Sequence, residues 1–292
     1  MIVGMRFDIV TIFPRFFESV FAHGIVRRAQ KEGLVTVEAH DLRDYAHDRH
    51  RTVDDRPFGG GEGMVLKPEP LANALENLGV RTKTERESSR SEGQQFSGSA
   101  KDQEATRVIL LSAQGQLFTQ WVARELAGIE RVVLVCGRYE GVDERVNELY
   151  CDMELSIGDY VLSGGELAAA VVVDATMRLI PGVLGNEASG EFESFGAADS
   201  EIDVDVLGVP RSQHGAGGLV DYPQYTRPAE FGGLRAPEVL MNGDHAEIRR
   251  WRREQQLRKT LRNRPELLER AALSAEDIRM IEGMRRGGGA NS

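Results

Sequence analysis

The chain has 292 residues, a formal charge of −10, 41% hydrophobic and 28% charged residues, and only two cysteines. That balance suits a globular protein with room for a large core and excludes disulfide-stapled and four-thiolate zinc classes. Its longest apolar run, residues 167–173, is far short of the roughly 20 residues a bilayer requires, so no membrane span is expected.

"RFDIVTIF" (residues 6–13) is β-branched and aromatic-rich and stops at Pro14, a good first-turn helix residue. Phe17, Val20, Phe21, Ile25 and Ala29 then recur at helical spacing. "LVTVEAH" (34–40), "RVILLS" (107–112) and "RVVLVC" (131–136) read as three more strands, the last two separated by a helical pattern over 117–127. Near-continuous apolar strands alternating with helices predict an α/β fold with a mostly parallel sheet covered on both faces.

Residues 81–105 are polar, Ser-rich and almost free of aliphatic side chains, which predicts a mobile surface insertion. A second polar stretch, from about 185 to 218, is strongly acidic and reads as an interdomain linker. Beyond it the composition is helical, with Asp244 and Ser274 as expected caps and Pro265 restarting a helix. Residues 249–264 hold eight Arg or Lys against one acid, Glu254, a basic block inside an acidic chain. A solvated helix face explains such a run taken alone, and phosphate binding explains it in an RNA-binding context.

Three glycine-bearing turns follow strand signals: "LLSAQG" (110–115), "CGRYEG" (136–141) and "SIGDYVLSGGEL" (156–167). Beyond the carboxyl ends of parallel strands such turns converge into ligand sites, although each by itself is also ordinary turn geometry. None matches G-x-G-x-x-G, and "GGGEGM" lacks the Lys-Ser/Thr of a P-loop, so dinucleotide and nucleoside-triphosphate readings lose their main support. His40, His47 and His50 lack helix-borne ligand spacing, and Cys136 and Cys151 show no nucleophile signature. The first residues lack a basic and an apolar leader region, and with two thiols this leads to the expectation of a cytoplasmic protein.

Taken in order, "MRFDIVTIFP", "HRTVDDRPFGGGEGM", "LVCGRYEGVDERV", "SIGDYVLSGGEL", "RLIPGVLGNEAS", "DYPQYTRP" and "HAEIRRWRREQQLRKTLRNRPELL" resemble the bacterial tRNA (guanine-37-N1)-methyltransferases, the TrmD family of the SPOUT superfamily. The resemblance runs from Met5 over nearly the whole chain, the two polar stretches excepted. It implies an α/β domain at 1–184 ending in a trefoil knot, which general connection rules would not suggest. It further implies a flexible acidic linker at 185–217, a small all-helical tRNA-binding domain at 218–292 and a homodimer. S-adenosylmethionine would be the methyl donor, tRNA the substrate, and magnesium a dependence for which no ligand cluster in the sequence names a site. By position, Ser112, Gly137, Ile157, Gly158, Asp159, Tyr160, Val161, Leu162, Gly164 and Gly165 fall where the family binds its donor.

Guanine N1 carries a proton at neutral pH, so its methylation calls for a base, and the negative charge that spreads to O6 calls for a nearby cation. Arg178 in "MRLIPG" occupies the family's guanine-contacting arginine position. Where the family has Asp before Ser-Phe, this chain has Glu193, the expected base, with Asp199 as the alternative and Asp221 as a supporting acid. Glu62 stands where the family usually has Pro. An acidic linker carrying the base suggests that residues 190–220 order on RNA binding. Competing expectations are a knotted RNA methyltransferase of other specificity, a non-catalytic RNA-binding homologue and, for want of its glycine fingerprint a distant third, an NAD-linked dehydrogenase.

Overall fold

The computed structural model describes residues 4–91, 106–185, 193–196, 217–271 and 273–288. The chain divides into two compact units, Met1–Gly185 and Asn186–Ser292. Among the described residues no helix is long and apolar enough to cross a membrane.

In the first unit the elements run β1 (Met5–Thr11), α1 (Phe16–Val20), α2 (Gly24–Lys31), β2 (Val35–Asp41), β3 (Asp54–Asp55), β4 (Val65–Leu66), α3 (Pro68–Asn77), α4 (Lys83–Ser91), β5 (Thr106–Leu117), α5 (Gln120–Ala127), β6 (Arg131–Cys136), α6 (Glu144–Tyr150), β7 (Met153–Ser156) and α7 (Glu166–Met177). A five-stranded sheet has the order β2-β1-β6-β5-β7, with every pairing parallel. Successive strand residues face opposite ways, and the two cores follow that parity. Ile109, Leu111, Val132, Leu134 and Cys136 pack with α1, α2, α5 and α7, whereas Val108, Leu110, Val133 and Val135 pack with α3 and α6. The mixed α/β class with a parallel sheet is therefore the one the apolar runs predicted.

Three local expectations differ from the structure. The helix expected after Pro14 is two, because His23 is extended (φ −133°, ψ 165°) between α1 and α2. The helix expected from 117 begins at Gln120, since Leu117 still belongs to β5 and Thr119 caps α5 by accepting from the Val122 amide at 3.4 Å. The expected insertion at 81–105 opens with helix α4, and residues 92–105 lie outside the described residues. Thr82 and Glu85 cap α4 reciprocally, at 2.9 Å for Thr82 N to Glu85 Oε2 and 3.3 Å for Glu85 N to Thr82 Oγ1. Arg86 then anchors the helix to Asp152 at 2.7 Å. A Thr-x-x-Glu capping box was thus present in a stretch whose polarity pointed to a loop.

The second unit contains a hairpin, β8 (Glu230–Phe231) with β9 (Leu234–Arg235), then α8 (His245–Asn263) and α9 (Ala275–Gly288), so it is not wholly helical. Asp244 caps α8 through the Ala246 and Glu247 amides at 2.9 and 3.1 Å, and Ser274 caps α9 through the Asp277 amide at 3.1 Å, both as expected. Leu219, Leu257, Leu268 and Ile281 form its core.

Asp8 is fully buried in β1, where its carboxylate accepts from His40 (2.7 Å), Arg6 (2.8 and 2.9 Å) and Arg131 (2.7 Å). Burial pushes its pKa up, but these bonds outweigh burial and hold it well below the usual carboxylate range. Because the folded-state pKa is depressed, the stabilisation is complete above the unfolded value of about 3.9 and is lost as pH falls through and below it. Asp8→Asn is expected to destabilise the unit by about 3 kcal/mol at neutral pH, since it strands the cations around it. Urea unfolding measured at neutral pH and at about pH 3.5 checks both points: the gap between wild type and variant should narrow in acid.

Candidate active site

Beyond the C-terminal ends of β5, β6 and β7 three segments enclose a cavity of about 220 Å³. The first is a bulge: the register of β5 against β7 jumps between Leu111 and Gln116, and Ser112 Oγ accepts from the Gln114 amide at 3.1 Å. The second is the turn 137–142 after β6, and the third is the loop 157–165 that leads into α7. That loop is folded on itself, with Tyr160 N donating to Gly158 O (2.9 Å) and Tyr160 Oη to Ile157 O (3.2 Å). It is also tied to the second segment by Gly165 N to Gly137 O at 2.9 Å. A Cβ on Gly165 would sit 2.8 Å from Cys136 Cα, a separation that only glycine permits.

Of the ten residues expected to hold a donor, nine line this cavity: Ser112, Gly137, Ile157, Gly158, Tyr160, Val161, Leu162, Gly164 and Gly165. Asp159 is exposed and does not line it. Arg138 to Gly141 of the "CGRYEG" turn line it too, beyond the Gly137 that the sequence pattern points to. Tyr139 has φ +58°, a left-handed conformation that a bulky residue rarely adopts and that marks functional turns. The neighbouring glycine-rich loop is docked at this rim by Glu140 N to Met64 O (2.9 Å) and Leu66 N to Gly141 O (3.0 Å).

Leu110, Leu155, Ile157 and Val161 supply apolar walls, and the turns supply backbone donors and acceptors. That combination suits a flat heteroaromatic ring with a hydrogen-bonding edge. The volume is below the ~300–1,000 Å³ of pockets that swallow a ligand whole, so a nucleoside-sized ligand would project from it. Beneath the floor, burial and then the nearby Glu166 carboxylate push the Cys136 thiol well above its ordinary pKa, and burial pushes Cys151 up to about 12. Both stay protonated and neither can act as a nucleophile.

One group among the described residues has metal-ligand spacing: Asp8, Glu38 and His40, with ligand atoms within 4.8 Å of one another. Arg6 bonds both carboxylates and Arg131 bonds Asp8, so cations already satisfy the oxygens that a magnesium ion would need. The group does not fit that ion.

Arg178 closes the C-terminal end of α7 in the first unit and is half-buried, where the helix dipole favours a cation. In the second unit Glu193 opens a tight turn, Gly196 N to Glu193 O at 3.0 Å, with Phe195 at φ +63°. The turn is strapped to the segment carrying Asp221 by Phe195 N to Leu219 O (2.8 Å) and Asp221 N to Ser194 Oγ (2.9 Å). Ser194 and Asp221, 27 residues apart in sequence, are thus bonded, which brings the backbone beside Glu193 next to the segment that carries Asp221. Asp199 lies outside the described residues, as does most of the stretch expected to order on RNA binding.

The basic helix α8 divides its arginines between two tasks. Arg253 forms a two-point ion pair with buried Asp277 at 2.9 Å for each bond and belongs to the core. Arg252, Lys259 and Arg262 are exposed and have no carboxylate partner among the described residues, and Arg252 covers the Tyr222 ring at 4.8 Å.

A family model described as tRNA (Guanine-1)-methyltransferase TrmD matches residues 5–270. A tRNA (guanine-N(1)-)-methyltransferase of Koribacter versatilis is 53% identical over 283 residues, covering 97% of this chain and 99% of the relative. Its namesakes in Geobacter sulfurreducens and Chloroflexus aggregans are 47% and 46% identical, each covering 97% of this chain and 99% of the relative.

Gly165→Ala tests the cavity directly. Calorimetric titration with S-adenosylhomocysteine should show binding abolished, and circular dichroism should show the sheet retained.

Proposed function

Since the chain belongs to the TrmD family of tRNA (guanine-1)-methyltransferases, we propose that its target is guanine 37 of tRNA and that the loop-lined cavity holds S-adenosylmethionine. Methylation of tRNA guanine at N1 from that donor is the activity of the family. The observation that carries the site assignment is the cavity itself, where backbone from 137–142 and 157–165 approaches closely enough to grip a nucleoside through amides and carbonyls.

The donor supplies a methyl group already activated on sulfonium, which leaves this chain to orient the guanine, remove its proton and stabilise charge. Glu193 accepts the N1 proton as the methyl–nitrogen bond forms. Arg178 stabilises the charge that develops on O6. Asp221 supports the Glu193 turn through its main-chain amide, which donates to Ser194 Oγ, while its carboxylate accepts from the Tyr222 amide and Gln224. The strained Phe195 beside Glu193 is consistent with a functional turn.

The finer architecture belongs to the same proposal. Residues 1–184 form a donor-binding domain whose last segment passes through a loop as a trefoil knot. Support comes from the close approach of Gly165 to Cys136 and the Arg138–Gly164 bridge. The chain works as a homodimer: α7 is apolar on nearly every face, yet Leu167 and Val171, one turn apart, are 52% and 44% exposed. Residues 185–217 link to the tRNA-binding domain at 218–292, in which exposed Arg252, Lys259 and Arg262 contact phosphates.

Methyl transfer to tRNA transcripts carrying guanine or adenine at position 37, read by nucleoside digestion and mass spectrometry, tests the function; 1-methylguanosine should form only with guanine. Glu193→Gln should lower kcat by about 10²–10⁴-fold with donor binding intact, and Arg178→Ala should behave alike. Activity retained in Glu193→Gln but lost in Asp199→Asn would move the base to Asp199. Replacing Arg252, Lys259 and Arg262 together by Ala should flatten the slope of log K against log salt by about 2. Arg253→Ala should instead lower the melting temperature of the unit.

A further inference from the structure

Three carboxylates are buried among the described residues: Asp8, Asp277 and Glu166. The first two are core ion pairs, but Glu166 lies directly beneath the cavity segments without lining the cavity. It is the first residue of α7 and 2% exposed. Oε1 accepts from Thr11 Oγ1 at 2.8 Å, at the end of β1, and Oε2 accepts from Arg138 Nε at 3.1 Å. Thr11 is itself 1% exposed and accepts from the Phe13 amide at 3.0 Å, so its hydroxyl proton is directed at the carboxylate.

Arg138 carries the connection onward. Its Nη1 donates to the Ser163 carbonyl at 2.8 Å, and its guanidinium lies 4.6 Å from the Phe13 ring centroid. Gly164 is packed into the pair: a Cβ there would lie 2.6 Å from Glu166 Oε2 and would collide with the Arg138 side chain. One carboxylate thus fixes a strand end, the turn after β6 and the loop before α7. Arg138, Ser163 and Gly164 line the cavity.

We propose that Glu166 is a positioning residue for methyl-donor binding: by aligning Arg138 it holds the Ser163 carbonyl, and with it the loop 157–165, in the shape that closes on the donor. This rests on the reading of the cavity as the donor site. Charge-assisted bonds are among the stronger hydrogen bonds, so loosening this one shifts donor affinity by roughly tenfold or more while leaving the RNA-contacting helix untouched.

The test is calorimetric titration of S-adenosylhomocysteine into wild type, Glu166→Gln, Thr11→Val, Thr11→Ser and Gly165→Ala chains, with the tRNA KM and the ligand-free melting temperature measured for each. Glu166→Gln is expected to weaken binding about tenfold or more with the tRNA KM unchanged. Thr11→Val should weaken it less, and Thr11→Ser, which keeps the hydroxyl, should restore it. A merely structural role would lower the melting temperature without this split. If Glu166→Gln fails to fold, the Thr11→Val and Thr11→Ser pair decides by the same criterion. Binding lost in Gly165→Ala but unchanged in Glu166→Gln, or in Thr11→Val, overturns the positioning role alone. Binding unchanged in Gly165→Ala overturns the donor-site reading and the positioning role with it.

Discussion

Two stretches of backbone, at Cys136–Gly137 and at Gly164–Gly165, lie closer together than any side chain would allow, and the cavity exists because of that contact. A Cβ at Gly165 would sit 2.8 Å from Cys136 Cα. With no side chain between them, the loop 157–165 can fold over the ends of β5 and β6 and present main-chain groups inward. Main-chain groups do not flex as side chains do, so a flat ligand meets a preorganised edge. Beside that contact, buried Glu166 accepts from half-buried Arg138 at 3.1 Å.

Much of this was legible in the sequence because the physics behind it is local. The strands are apolar on both faces, and Val132 to Cys136 alternate between the two cores as a parallel strand must. The turns "CGRYEG" and "SIGDYVLSGGEL" were recognisable as glycine turns following strands, and the rule that such turns gather at one edge of the sheet located the cavity. Less visible was whatever depends on partners distant in sequence. Glu166 reads as an ordinary helix-opening acid until Thr11, 155 residues away, is seen donating to it. Arg138 reads as a turn residue until its Ser163 and Glu166 bonds are placed. Strand β7 is four residues long with Glu154 in its middle, too short and too polar to stand out. Helix α4 is masked for the opposite reason, because its polar composition matches a loop and only the Thr82–Glu85 capping box marks it as a helix.

Charge shows the same contrast between total and placement. A chain of net charge −10 carries eight Arg or Lys over residues 249–264, seven of them in helix α8 and the eighth, Arg264, at its C-cap. Sequence alone cannot tell which of these face solvent. The structure assigns Arg253 to Asp277, where burial pushes the carboxyl up and the bonds from Arg253 and Ser274, with the arginine's charge, more than reverse that shift. It leaves Arg252, Lys259 and Arg262 at the surface. Phosphate affinity rests on exposed cations, not on the number in a run.

The central claim is that the glycine-built cavity, and no other part of the chain, holds the methyl donor. A crystal structure with S-adenosylhomocysteine tests it most directly. The adenosine is expected beyond the ends of β5 and β6, in contact with the backbone of residues 157–162 and 137–141; density for the ligand anywhere else, with that cavity empty, would contradict it.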